Sequence, residues 1–159
     1  MMNTLFNDGA GNLPFVSAAS GDIELRDRIW SWDLSSVRGR TAARVGWDLP
    51  YSLDVETEYR RFIFISAKYR SERLGMGGPV DEIWHDHILD TYAYSEFCRS
   101  IAGRFLHHAP SFAEGRDNSR YSRTIDLVQL HFGEVNWRIW PKVEAGLTNC
   151  CSHCSRLTN

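Results

Sequence analysis

The sequence lacks any apolar run long enough to cross a membrane, and it carries little net charge. No stretch approaches the roughly 20 apolar residues that a membrane-spanning helix needs. The net charge of -2 at pH 7 supplies no basic field for nucleic acid. Residues 1–20 also lack the basic and apolar regions of a signal peptide. We therefore expect a cytoplasmic protein with neither a membrane nor a nucleic-acid partner.

Short motifs of the common enzyme classes are also missing. The sequence has no phosphate-binding loop and no G-x-G-x-x-G, G-x-S-x-G or H-E-x-x-H pattern. Clear strand alternation is absent as well, and residues 10–16 are the one place where a short hairpin fits. Hydrophobic residues make up 43% of the chain and charged residues 24%, which is an ordinary globular balance. The expected fold class is therefore all-α.

Helical spacing of the apolar residues predicts a single compact bundle of four to five helices. We expect a loose N-terminal leader over 1–22, a helical domain over 23–146 and a Cys-containing tail over 147–159. The predicted helices cover 34–45, 52–69, 80–105 with a kink near Asp90, and 119–132, with a short helical turn at 25–30.

Cysteine is scarce and unevenly placed. Of the four cysteines, Cys98 is isolated within a predicted helix and is typical of a small buried apolar residue. The other three, Cys150, Cys151 and Cys154, crowd near the end, whereas a disulfide framework spreads its cysteines along the chain. Their C-x-x-C spacing suits zinc or copper, but a structural site needs a second ligand pair that the sequence lacks. We interpret this segment as a redox-sensitive tail.

Basic residues are interleaved with acids rather than concentrated. This holds for the run in and after the second predicted helix, and it predicts a solvated face rather than a binding patch. The residues concerned are Arg60, Arg61, Lys68, Arg70 and Arg73.

The densest cluster of metal-capable side chains lies between residues 81 and 90. His85 and His87 are two positions apart, and on a regular helix such positions point about 200° away from each other. Asp81 and His85 are four positions apart and share a face. His87 shares a face with Asp90 or Thr91, which follow it by three and four positions. A regular helix therefore cannot place both histidines on one ion.

Two interpretations of this cluster remain open. In the first, Asp81 fixes His85, while Asp90 or a backbone carbonyl fixes His87, and the polar groups form a buried hydrogen-bond network. In the second, the helix is irregular and the two histidines converge on a metal with a third ligand. The candidates for that third ligand are Asp81, Asp90, His107 and His108.

The pair His107 and His108 can take part only if the predicted third helix is broken. In a straight helix, residues 85 and 108 lie roughly 35 Å apart at about 1.5 Å per residue. Asp90 is a suitable N-cap for a new helix after such a break. Without a break, the pair marks a helix C-terminus, where partly protonated histidine is favoured.

The run V-D-E-I-W-H-D-H-I-L-D-T at 80–91 resembles the glycine-rich domain-containing protein-like family. Bacterial stand-alone members and plant proteins of that family share a V-D-x-x-W-H-x-H-I-L-D-T stretch. The resemblance continues through 103–110 and covers most of 52–141. It implies a helical domain and a cytosolic bacterial origin, but no established reaction. The family's motif positions coincide with Asp81, Trp84, His85, His87, Asp90, His107 and His108.

Two functions fit these residues. One is a metal-binding helical protein, and an open coordination position would make it a metal-dependent enzyme that acts on a small molecule. It would hold a divalent transition metal such as zinc, iron or copper, with Trp84, Tyr94 and Phe97 as pocket walls. The other is a non-catalytic module that binds a protein or peptide and keeps the histidines and aspartates as a structural network.

Overall fold

The computed structural model describes residues 20–108 and 118–142, and these residues form an all-α fold. The predicted fold class is confirmed, and no strand occurs within the two described ranges. The leader hairpin at 10–16 and the cysteines of the tail lie outside them. The helices are α1 (Ser20–Ser31), α2 (Ser35–Val45), α3 (Leu49–Lys68), α4 (Pro79–Leu89), α5 (Thr91–Ala102) and α6 (Ser119–Phe132).

The expected count of four to five helices is too low, because the described residues form six. The short turn predicted at 25–30 is the full helix α1, which buries only Leu25 and Ile29 and so gives a weak periodic signal. The long helix predicted at 80–105 is two helices, α4 and α5.

Helix α3 is the centre of the bundle and packs against each of the other five helices. Asp48 caps its N-terminus by accepting a hydrogen bond from the backbone N–H of Tyr51 at 2.8 Å. Because α3 is enclosed on several sides, its apolar residues are not confined to one stripe. The buried ones are Val55, Tyr59, Phe62, Ile63, Phe64 and Ile65.

A buried ion pair on α3 fastens the end of α1. Arg60 is buried, so the solvated face predicted for it is wrong. Its Nη2 lies 2.6 Å from Glu56 Oε1 and donates to the carbonyl oxygen of Trp32 at 2.8 Å, while Nη1 donates to the carbonyl of Ile29. Arg38 of α2 binds the second oxygen of Glu56 at 2.6 Å. One carboxylate therefore links α2, α3 and, through Arg60, the end of α1.

The chain breaks at Asp90, where ψ is 72° and the helical conformation stops. The Asp90 side chain accepts a hydrogen bond from the N–H of Ala93 at 3.3 Å and so caps α5. Helix α5 ends at Gly103, which has a φ of 64°. A positive φ of this kind is typical of glycine after a helix, and it turns the chain back towards α4.

No helix in the described ranges is both long and apolar enough to cross a membrane. This agrees with the absence of long apolar runs in the sequence.

Replacing Arg60 tests the importance of the buried ion pair. We expect Arg60→Ala to lower the free energy of unfolding by about 3–5 kcal/mol, because Glu56 then loses a buried partner and two carbonyls lose their donor. Arg99→Ala is the matched control, since Arg99 is exposed and lies 3.7 Å from Glu96. The control is expected to cost no more than about 1 kcal/mol. Equal losses in urea unfolding would contradict this assignment.

Candidate metal site and adjoining cavity

Helix α4 is held in place on one face and displays the candidate site on another. Arg44 of α2 binds Glu82 through Nη1 and Asp86 through Nη2, each at 2.9 Å. Asp81 and His85 lie one turn apart on α4, as the i,i+4 spacing predicts. The ion pairs of Arg44 therefore fix the rotation of the helix that carries these two side chains.

Three side chains with metal-binding atoms converge beside α4. They are Asp81, His85 and His108, and their ligand-capable atoms all lie within 4.8 Å of one another. Asp81 Oδ1 lies 3.0 Å from His108 Nε2 and 3.5 Å from His85 Nδ1. The two imidazole rings have centroids 4.6 Å apart. Asp81 is buried, whereas the two histidines are partly accessible.

His108 reaches α4 because the segment after α5 is tied back by hydrogen bonds. Trp84 Nε1 donates to the Tyr94 hydroxyl at 2.8 Å, and that hydroxyl donates to the carbonyl of Leu106 at 2.6 Å. The N–H of Leu106 donates to Cys98 Sγ at 3.5 Å. Burial raises the pKa of the Tyr94 hydroxyl, so it keeps its proton and remains a donor.

Of the three residues predicted to form the walls of a pocket, Trp84, Tyr94 and Phe97, one lines the cavity and two lie in the core. Trp84 lines the cavity beside the site and contacts the His108 ring at 4.8 Å between centroids. Tyr94 and Phe97 are fully buried behind it. They support the site from the core instead of lining the cavity. Cys98 is free and buried, as its position in the helix predicts.

The proton of His85 is fixed by its backbone contact. His85 Nδ1 lies 2.7 Å from the carbonyl oxygen of Asp81, and a carbonyl can only accept a hydrogen bond. Nδ1 therefore carries a proton, and Nε2 is the ring nitrogen that remains for a metal. Metal-binding histidines commonly use one ring nitrogen to hold a carbonyl in this way.

The structure does not bring His87 into this cluster. Its side chain points into the core, where Nδ1 lies 2.8 Å from the Tyr59 hydroxyl and the ring packs against Tyr94 and Phe97. Burial lowers the pKa of His87 to about 4. The separation of about 200° between positions i and i+2 on a regular helix accounts for the opposite directions of His85 and His87.

Asp90 and His107 also lie outside the cluster. Asp90 is engaged as the cap of α5 and lies 3.7 Å from Arg40. His107 is exposed and packs against Phe105, with ring centroids 4.9 Å apart. His107 lines the same cavity as His108, but it is not among the side chains whose ligand-capable atoms converge on Asp81.

A cavity of about 380 Å³ adjoins the three residues. Asp81, Trp84 and His108 form part of its wall. The wall also contains four arginines that the sequence analysis did not assign to a site, namely Arg70, Arg73, Arg104 and Arg120. The sequence gives little sign that these arginines meet, because they lie in three separate places. Arg70 and Arg73 precede the glycine-rich break after α3, Arg104 follows Gly103, and Arg120 lies in the first turn of α6.

Glycines allow the chain to pass close to α6 at this cavity. A Cβ on Gly75 would lie 2.7 Å from the backbone nitrogen of Tyr121. Gly75 also exchanges hydrogen bonds with α6, donating to the carbonyl of Arg120 at 3.1 Å and accepting from Thr124 at 2.6 Å. This contact brings Arg120 to the same cavity as the residues that follow α3.

The low pKa of His87 predicts a loss of stability in mild acid. Between the ordinary value of 6.5 and about 4, the folded chain binds fewer protons than the unfolded chain. The free energy of unfolding therefore falls as the pH drops through this interval, by about 2 kcal/mol between pH 7 and pH 5 from this residue. Urea unfolding of His87→Gln is expected to show a decline smaller by that amount. His107→Gln, at an exposed site, is expected to keep the parent's decline, and an unchanged slope in His87→Gln would contradict the assignment.

Removing the Tyr94 hydroxyl tests how the segment 103–108 is held. We expect Tyr94→Phe to lower the free energy of unfolding by about 1–3 kcal/mol, because Trp84 Nε1 and the Leu106 carbonyl each lose a buried partner. Tyr92→Phe is the control, since Tyr92 lies on the same helix and is 76% exposed. Chemical denaturation measures both variants. A Tyr94→Phe protein as stable as Tyr92→Phe would show that the bridge contributes nothing.

Comparison with known proteins corrects the family expected from the motif. Neither a curated protein nor a solved structure matches the chain. A family model does match, and it is the UCP032817-like model over residues 44–126. The assignment to the glycine-rich domain-containing protein-like family is therefore wrong. The matched region is more than half of the 159 residues and contains Asp81, His85 and His108, so the chain belongs to the UCP032817-like family.

Proposed function

We propose that this chain is a metal-binding helical protein whose ligands are Asp81, His85 and His108. The observation that carries the proposal is the convergence of these side chains from two separate segments, with ligand-capable atoms within 4.8 Å of one another. Zinc and similar ions bind nitrogen and oxygen ligands at about 2.0–2.2 Å, so two ligands of one tetrahedral ion lie about 3–4 Å apart. The 3.0 Å between Asp81 Oδ1 and His108 Nε2 fits this spacing, and rotation of the partly accessible His85 ring closes the remaining distance.

The donor set favours particular ions. Two imidazoles and one carboxylate are typical ligands of catalytic zinc and of non-haem iron(II). The Nδ1–H of His85 is engaged with the Asp81 carbonyl at 2.7 Å, which leaves Nε2 as the ligand atom. Zinc or iron(II) therefore suits this site better than copper, which was also among the ions expected from the sequence.

Three protein ligands leave coordination positions open, which is the arrangement of catalytic rather than structural sites. Asp81 and His108 also form part of the wall of the 380 Å³ cavity, a volume within the range of small-molecule sites. We therefore propose a metal-dependent enzyme in which the cavity receives the substrate and the metal supplies Lewis-acid or redox chemistry.

One observation favours a second function. Asp81 Oδ1 and His108 Nε2 lie 3.0 Å apart, so the two side chains can bond directly to each other. The cluster can therefore serve as a structural network in a non-catalytic interaction module. This alternative predicts that added metal leaves the stability of the folded chain unchanged.

Metal analysis of protein purified without an affinity tag tests the proposal. We expect close to one equivalent of zinc or iron per chain. Adding the same metal to stripped protein should raise the free energy of unfolding, by about 4 kcal/mol at a thousandfold excess over Kd. His108→Ala and Asp81→Asn are expected to abolish both effects.

His107→Ala is the matched control because His107 is the exposed neighbour of His108 and lies outside the cluster. It is expected to keep the metal content and the metal-induced stabilisation of the parent. Parent protein with less than about a tenth of an equivalent, and with no stabilisation by zinc or iron(II), would refute the proposed site in favour of the structural network.

A further inference from the structure

The cavity beside the proposed metal site is rich in cations. Arg70 and Arg73 reach it from the segment after α3, Arg104 from the segment after α5, and Arg120 from the first turn of α6. Three separate parts of the chain thus deliver guanidinium groups to one concave surface. Arg70 and Arg73 are exposed, which agrees with the solvated face predicted for them, and they also line this cavity together with Arg104 and Arg120.

Anionic partners for these arginines are scarce in the described ranges. Glu72 is the one acidic wall residue there besides Asp81, and Arg123 already binds both of its oxygens, at 2.6 and 2.8 Å. Arg70, Arg73 and Arg120 form no ion pair with any residue in 20–108 or 118–142. The cavity therefore has an excess of positive charge over these parts of the chain.

Arg104 supplies a separate observation. Its Nη2 donates to the carbonyl of Ser66 at 3.0 Å, which anchors the guanidinium beside α3. Its Nε is buried and has no hydrogen-bond partner among the described residues. A buried donor without an acceptor costs free energy, and a ligand oxygen is one group that satisfies it.

Part of the remaining wall is apolar. Phe62, Met76 and Leu106 belong to the hydrophobic core and also face the cavity. Such a surface favours a ligand that has a hydrophobic body as well as a charge. The volume of about 380 Å³ admits a small molecule and excludes a folded partner or a nucleic-acid duplex.

We propose that this cavity binds a small organic anion, with a carboxylate or phosphate held by the arginines and an apolar body against Phe62 and Leu106. Guanidinium groups match both kinds of anionic oxygen through paired N–H donors. The proposal deepens the proposed function, on which it rests, by naming the substrate class of the same site.

Binding of two simple probes tests the proposal. Isothermal titration of the full chain with phenyl phosphate and with phenylacetate is expected to show saturable binding of at least one of them. The tighter probe identifies the anionic group. Arg73→Gln and Arg120→Gln are expected to weaken its binding about tenfold or more each, because each removes a charge-assisted contact. These two arginines are chosen since Arg104 also contacts the backbone of α3.

Arg99→Gln is the control for net charge, because Arg99 lies on α5 outside the cavity and is expected to leave the Kd unchanged. An equal loss in Arg99→Gln, or no saturation by either probe up to about 10 mM, would overturn the proposal.

Titrations run on metal-stripped and zinc-loaded protein separate this result from the proposed function. Arginine-dependent binding to stripped protein supports the anion site even if zinc does not bind, whereas zinc binding without probe binding overturns the anion site alone.

Discussion

The hydroxyl of Tyr94 is the interaction on which the arrangement of the site depends. It accepts a hydrogen bond from Trp84 on α4 and donates one to the carbonyl of Leu106, so it joins the helix to the segment that follows α5. That join places His108 within 3.0 Å of Asp81, although the two residues are far apart in the chain. The break at Asp90 permits the return of the chain, and the buried hydroxyl fixes its direction.

Part of the site is predictable from the sequence and part is not. The i,i+4 spacing places Asp81 and His85 on one face, and the i,i+2 spacing separates His87 from His85, because both follow from the period of a regular helix. The choice of His108 over His107 does not follow from any period, since it depends on hydrogen bonds formed by Tyr94 and Cys98. Contacts between distant segments determine which histidine lies beside Asp81, and local sequence patterns do not predict such contacts.

The arginines also show that local sequence patterns do not predict contacts between distant segments. A run of bases interleaved with acids indicates a solvated face when only neighbours in sequence are considered. In the structure, Arg60 is buried against Glu56, so the prediction is wrong for that residue. Arg70 and Arg73 are exposed, as predicted, but they also line a cavity with Arg120. The close approach of Gly75 to α6 brings Arg120 to that cavity, and this approach cannot be inferred from charge spacing alone. The fold class was predictable because apolar periodicity is local. The kink near Asp90 was predictable as well, because an aspartate is a common N-cap, and the hydrogen bond from the N–H of Ala93 to Asp90 confirms it.

The residues of helix α4 that stabilise the fold and the residues of its proposed metal site lie on different faces of the helix. On one side, Arg44 neutralises Glu82 and Asp86, and His87 is enclosed by aromatic rings and held without charge. On the other side, Asp81 and His85 meet His108 at the wall of a cationic cavity. A cluster of like charges destabilises a fold unless the surrounding structure compensates for it. Here the ion pairs of Arg44 and the core contacts of His87 stabilise α4 from the opposite face. A substitution among the cavity arginines therefore reduces the repulsion between positive charges and leaves these contacts with α4 intact.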